Sequence, residues 1–267
     1  AIEDDWSSHW KLTQVNSFFC KRLNNFYTKY VAHFLISHLP NRSSNDIVMM
    51  DSKLLPMGND IIAPILTHIF NLSLKTKTVI DGWKLAKVSP AYKGSGAHND
   101  PSSYRPISNV SHIGKIMEKL VNTQLVDYLA SHKFITTDQS AHLKGHSCQT
   151  SLHHVIDDWL ETFNEGQVTM ACFLDVKKCY DSIDHALLLK KLCKYGISDV
   201  SIKLFQSYLH NRTIIVNCDN DRSEPHHLEI GIPQGSALAP TLFNVFINDL
   251  SQATSGQLNM FADDALL

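Results

Sequence analysis

Apolar residues recur at helical spacing in three stretches: Ile61, Ile62, Ile65, Leu66, Ile69 and Phe70; Ile113, Ile116, Met117, Leu120 and Val121; and Leu152, Val155, Ile156, Trp159 and Leu160. Each repeats every three or four positions and so predicts an amphipathic helix with one face toward a core. Before the second helix the sequence predicts a short strand around Val88. Between them comes an exposed loop over 93–104, rich in Gly, Ser, Asn and Asp and carrying Pro101. Residues 40–53 read as another polar loop. From there on the texture changes. The run 168–176 is almost continuously apolar, too short and too β-branched for a helix, and predicts a buried strand. Alternation along it sets Val168, Met170, Cys172, Leu174 and Val176 on one face and Asp175 on the other. Helices over 186–195 and 199–209 are expected next, then a hairpin of 213–218 and 227–232 across the turn-rich 219–225. A further helix starts near Pro240, whose missing N–H is harmless in a first turn, and runs through Leu242, Phe243, Val245, Phe246 and Leu250. The segment 258–267 is apolar but broken by Asp263 and Asp264. With no internal repeat, the pattern is α+β, helices packed against an antiparallel sheet.

Composition narrows the class. In 267 residues, 43% hydrophobic and 19% charged is a core-forming balance that excludes fibrous, collagen-like and disordered chains. No run approaches the ~18 apolar residues of a membrane span, and the N-terminus lacks the basic flank and apolar stretch of a signal peptide, so a soluble, intracellular chain is expected. It starts without Met and stops inside an apolar run at Leu267, which reads as a fragment of a longer polypeptide. Cys20, Cys148, Cys172, Cys179, Cys193 and Cys218 show no paired spacing, consistent with free thiols in a reducing compartment. The compact cluster His142, His146 and Cys148 has the residue types of a zinc site, but loop histidines are the better reading. The overall charge of −2 conceals a net +4 over residues 82–146 and −7 over 147–267. Local field, not total charge, attracts a polyanion, so the middle segment is the candidate surface for phosphate backbones.

The acidic surplus includes the residues that carry chemistry. A lone Asp175 at a strand end is commonly a cap. Asp263-Asp264 amid apolar neighbours is a costly pairing, because each carboxylate raises the other's pKa unless a cation compensates. Strand alternation lets both reach one ion only if Asp264 lies in a tight turn, so Asp263 ranks first. Two strands ending in carboxylates suit a hard, oxygen-liking cation such as Mg²⁺.

Three strings, Phe173-Leu174-Asp175-Val176-Lys177-Lys178-Cys179-Tyr180-Asp181, Gly231-Ile232-Pro233-Gln234-Gly235-Ser236 and Phe261-Ala262-Asp263-Asp264, resemble the palm motifs of reverse transcriptases in order and interval. Trp83-Lys84, Tyr104-Arg105-Pro106-Ile107-Ser108 and Lys144-Gly145-His146-Ser147 resemble fingers motifs of non-LTR retrotransposon polymerases. The likeness covers about residues 83–267. It implies a right-hand polymerase: an N-terminal segment 1–53 of unassigned role, fingers over 54–167, and a palm over 168–267 whose antiparallel sheet is backed by helices, with the thumb absent. The implied activity is RNA-directed DNA polymerisation, a nucleotidyl transfer adding dNTPs to a DNA primer 3′-OH on an RNA template, in the nucleus. Two Mg²⁺ ions, with Mn²⁺ able to substitute, would be held by Asp175, Asp263, Asp264 and the carbonyl of Val176. Lys93 and Arg105 would clamp the triphosphate, Tyr180 would stand below the sugar of the incoming nucleotide, and Gln234 would touch nucleotide and template. Lys144 and Gly235 would contact template or primer. The chain departs from the family pattern at His142-Leu143, usually an aromatic-Arg pair, and at Lys177, Cys179 and Ala239. These departures, with the missing thumb, point to the alternative reading, an inactive nucleic-acid-binding remnant, and to a fragment that does not extend primers on its own. An RNA polymerase reading is disfavoured by Tyr180. Oligomeric state is not legible.

Overall fold

The computed structural model describes residues 29–38, 54–176, 178–218, 221–254 and 256–267; the expected loop over 40–53 lies outside them. In chain order the helices are α1 (Lys29–Ser37), α2 (Leu54–Met57), α3 (Asn59–Thr76), α4 (His112–Ser131), α5 (Cys148–Asn164), α6 (His185–Lys194), α7 (Asp199–Leu209), α8 (Ala239–Ile247) and α9 (Leu250–Ala253). The strands are β1 (Leu85–Tyr92), β2 (Tyr104–Val110), β3 (Phe173–Asp175), β4 (Arg212–Cys218), β5 (Asp221–Arg222), β6 (His226–Leu228), β7 (Asn259–Phe261) and β8 (Asp264–Leu266). The fold is α+β. No helix among the described residues is long and apolar enough to cross a membrane.

Short polar residues start the helices where the sequence places them. Ser111 accepts from Gly114 N–H at the head of α4, Asp184 from Leu187 N–H at α6, and Ser198 from Ser201 N–H at α7. Ser147 and Thr150 form a reciprocal capping box at α5. Pro240 falls in the first turn of α8, as expected. Helices α1, α3, α4, α6, α7 and α8 share one core, filled by Ile36, Phe70, Ile116, Leu120, Leu188, Phe205, Leu242 and Phe243.

Two sheets lie beside these helices, and only one is purely antiparallel. The smaller runs β3-β8-β7, each neighbour antiparallel. The larger runs β2-β1-β4-β5 with β6 also on β4, and it is mixed, because β1 and β4 pair in parallel, Leu85 opposite Thr213. Strand β2 was not expected. Pro106 and the polar Ser108 and Asn109 hide it, yet Pro106 is tolerated because β2 is an edge strand. Pro90 in β1 lies beyond Val88, the last residue paired with β4.

Three expectations of burial are corrected. On α3 the inward stripe is Ala63, Leu66, Phe70 and Leu74, while Ile61 and Ile65 are exposed; small Ala63 and Thr67, whose hydroxyl bonds back to Ala63 O at 2.7 Å, face the core instead. On α5 only Val155 is buried, and Leu152, Ile156, Trp159 and Leu160 face outward. The run 168–176 is not a buried strand: only Phe173–Asp175 is β, and Val168, Met170 and Phe173 are 94%, 90% and 75% exposed. Its apolar character is real, but β3 is an edge strand paired only with β8, and no other described element covers it. The 213–232 hairpin also shortens, β6 ending at Leu228, because 229–232 turns away to meet the segment after β3.

Candidate active site

The short sheet brings the acids to one edge. Asp175 ends β3 opposite Asp264 in register, and the β7–β8 turn is Ala262-Asp263. The turn therefore holds Asp263, with Asp264 opening β8, which corrects the expectation that Asp264 would occupy it. Ala262 takes φ +56°, a left-handed conformation uncommon for a residue with a Cβ.

After β3 the chain makes a 3₁₀ turn, Cys179–Ser182, whose Tyr180 ring stacks on Phe243 of α8 with centroids 4.6 Å apart. Burial, reinforced by Asp263 and the Cys179 thiol, pushes the Tyr180 phenol up to about 12. Burial, then Asp263 and Asp175, pushes the Cys179 thiol up to about 11. Both groups keep their protons at neutral pH. The turn is fastened to 231–232: Gly231 N–H donates to Ile183 O at 2.8 Å and Ile232 N–H to Tyr180 O at 2.9 Å. The approach leaves no room for a side chain at Gly231 (φ +84°), where a Cβ would stand 2.8 Å from Asp181 O. His185 seals the same contact, its Nε2 2.7 Å from Gly231 O.

The next loop is held from β2. Ser108 N–H donates to Gln234 O at 2.8 Å, and a Cβ on Gly235 (φ +115°) would lie 2.5 Å from Ser108 O. The Gln234 side-chain amide reaches Asp181 Oδ1 at 3.4 Å. Behind the loop, buried Glu118 of α4 accepts from Ser236 Oγ at 2.8 Å and Ala237 N–H at 2.7 Å. On the other strand pair Arg105 stands on β2 opposite Ala91, and Lys93 Nζ donates to Ser102 O at 2.8 Å.

These pieces line one cleft of about 990 Å³, which brings together Asp175, Val176, Asp263, Asp264, Tyr180, Gln234, Gly235, Lys93 and Arg105. Lys144 is not brought in. It is exposed in the turn before α5, close enough to Asp127 of α4 to offset part of that acid's burial-raised pKa. Among the described residues no ion pair or side-chain hydrogen bond neutralises Asp175, Asp263 or Asp264. No described group of three or more His, Cys, Asp or Glu, the His142 cluster included, is gathered tightly enough to hold an ion by itself. Two hard carboxylates, a backbone carbonyl and open positions for water and phosphate oxygen fit Mg²⁺, which keeps several non-protein ligands.

Comparison with known proteins decides the family. The profile of "Reverse transcriptase (RNA-dependent DNA polymerase)" matches residues 93–267. This chain belongs to the reverse transcriptase family. It is 30% identical over 191 residues to the probable RNA-directed DNA polymerase from transposon BS of Drosophila melanogaster, covering 69% of this chain and 20% of that protein. It is also 30% identical over 220 residues to the RNA-directed DNA polymerase from mobile element jockey of the same organism, covering 82% of this chain and 24% of that protein. The chain thus spans about a fifth to a quarter of these relatives. Among solved structures, apo telomerase from Candida tropicalis truncated from its C-terminal domain aligns with TM-score 0.48 and 12% identity over 71% of this chain and 44% of that one. Reverse transcriptases generally work with divalent metal ions and bind RNA.

Near Asp263, outside the residues that line this reverse transcriptase cleft, stand His142, which the sequence marks only as a loop histidine and a departure from the family pattern, and Gln139, which the sequence does not single out. His142 lies near Asp263: burial lowers its pKa and the Asp263 charge pulls it partly back. Gln139, 1% exposed, grips the turn before Asp263, its Oε1 accepting from Ala262 N–H at 3.0 Å and its Nε2 donating to Ala262 O at 3.2 Å. In the sequence Gln139 is one polar residue four positions ahead of Leu143. Nothing in it tied Gln139 to a residue more than a hundred positions downstream.

Proposed function

We propose that this chain carries the polymerase centre of a non-LTR retrotransposon reverse transcriptase, adding dNTPs to a DNA primer on an RNA template. Residues 54–167 would serve as fingers and 168–267 as palm. The observation that carries the reading is the gathering in one cleft of three carboxylates, none in an ion pair among the described residues, and the cations Lys93 and Arg105. Asp175 and Asp263, with Asp264 and the carbonyl of Val176 beside them, would hold two Mg²⁺ ions. Bound there, the ions would supply charge neutralisation and activation of the primer hydroxyl. Arg105 is suited to the triphosphate, because its guanidinium fork matches phosphate oxygens and stays charged. Lys93 adds a point charge. Tyr180, stacked on Phe243, presents a wall where a ribose 2′-OH would project. Gln234 and Gly235, in a loop pinned to β2, would meet the nascent base pair closely because the loop has no side chain at Gly235. Most of the rate gain in such transfers comes from positioning and charge stabilisation, and these residues supply the positioning.

The test is primer extension on an RNA template with Mg²⁺ by the full polypeptide that contains this segment. Asp175→Asn or Asp263→Asn removes charge without changing volume. Each is expected to reduce turnover by ~10³-fold or more, several kcal/mol of barrier, while template–primer binding persists. Turnover within about tenfold of the parent in both variants would overturn the assignment. A parent that binds template–primer and never extends it would mark the chain as a binding remnant.

A further inference from the structure

We infer that Gln139 is a positioning residue for Asp263, clamping the turn that aims this carboxylate into the cleft; the inference rests on the reading of Asp263 given above. Three observations carry it. The residue before Asp263 is Ala262, held at φ +56°, a conformation an alanine leaves readily unless its surroundings fix it. Both polar groups of the Ala262 backbone end on the same Gln139 side chain, and Oε1 is fixed in turn by Ala141 N–H at 2.9 Å. The main chain around Gln139 is itself tied to β7: Met260 N–H donates to Asp138 O at 2.7 Å and Ser140 N–H to Met260 O at 2.9 Å. One amide thereby couples a rigid segment to the turn, and its own burial leaves it no alternative partner in water. A ligating carboxylate depends on such outer partners for its aim, and their loss typically costs 10–100-fold in metal affinity or activity.

The test uses the same full polypeptide. Asp263→Asn is the control on the underlying reading: if it still extends primers at near the parent rate, the acid is misassigned and the inference falls with it. With that control inactive, Gln139→Met, which keeps the volume and loses the hydrogen bonds, is expected to raise the Mg²⁺ concentration for half-maximal extension roughly tenfold and to lower kcat by a similar factor. Template–primer affinity should stay within about twofold. Adding Ala262→Gly should recover part of the Mg²⁺ requirement, since glycine holds the turn conformation without the clamp. Hydrogen exchange should quicken at the Ala262 amide while α8 amides keep their protection. A Mg²⁺ requirement and kcat within about twofold of the parent overturn the inference. So does an exchange increase spread equally through α8, which would mark general loosening. Should Gln139→Met fail to fold, Gln139→Asn keeps the amide and shortens its reach, and is read against the same outcomes.

Discussion

At the scale of single residues, the cleft is built from side chains whose freedom has been removed by a neighbour. Tyr180 is the clearest case: its ring is stacked on Phe243 and its backbone carbonyl is taken by Ile232. A ring fixed on both counts acts by shape. Tyr180→Val should therefore relax discrimination between ribo- and deoxyribonucleotides by roughly tenfold or more, about 1.4 kcal/mol, with dNTP use less affected. The ratio of kcat/KM for matched rNTP and dNTP measures it, and an unchanged ratio would return Tyr180 to a packing role. Gly231 and Gly235 complete the picture. Each faces a backbone oxygen too close for any Cβ, so the segment around Tyr180 and the Gln234 loop meet their neighbours main chain to main chain.

At the scale of elements, Glu118 ties α4 to the loop before α8, and α7 joins through Tyr208, whose hydroxyl lies 2.6 Å from Ser236 Oγ. Arg212, buried, donates to Tyr208 O at 3.0 Å and stacks its guanidinium 4.6 Å over the Tyr208 ring. Burial raises the Glu118 pKa, with Arg212 and the two hydrogen bonds opposing it. The folded protein then holds that proton more tightly than the unfolded chain. Stability should fall as pH rises from the ordinary glutamate range through the raised value. Glu118→Gln keeps an acceptor and removes the titration, so denaturation across pH 4–8 should show the variant losing less than the parent. Glu118→Ala, which orphans Ser236 Oγ and Ala237 N–H, should cost about 2–4 kcal/mol at neutral pH. How far elements were legible follows from similar physics. Local signals placed α4, α6, α7 and the start of α8 at Pro240, although α8 ends at Ile247 and Leu250, expected in the same helix, opens α9 instead. Strand β2 and the exposure of 168–176 were not legible, since edge position and pairing partner are tertiary facts that an apolar run or a proline cannot report. Asp175, Asp263 and Asp264, singled out from short, ordered strings, do line one cleft. Gln139 was missed because its partner is distant in sequence.

At the scale of the whole molecule, the positive middle segment and the acidic remainder meet at the cleft. Lys144 is exposed and lies outside the cleft, and as a surface cation it would act on a phosphate backbone through the field alone. Lys144→Ala should weaken template binding about equally for all sequences and lower the slope of log affinity against log salt by roughly one, with kcat unchanged. Binding across a salt titration checks it. A lost kcat with an unaltered slope would move Lys144 into the chemistry. The parallel pairing of β1 with β4 has a consequence in time. Leu85 can meet Thr213 only after everything between them has left the ribosome, which at ~5–20 residues per second is a wait of roughly 6–25 s. Through that interval β1 and β2 present an unpaired edge carrying Lys93 and Arg105 nearby. A nascent chain that stalls before β4 would thus display the cationic half of the cleft to cellular RNA before Asp263 and Asp264 have been made.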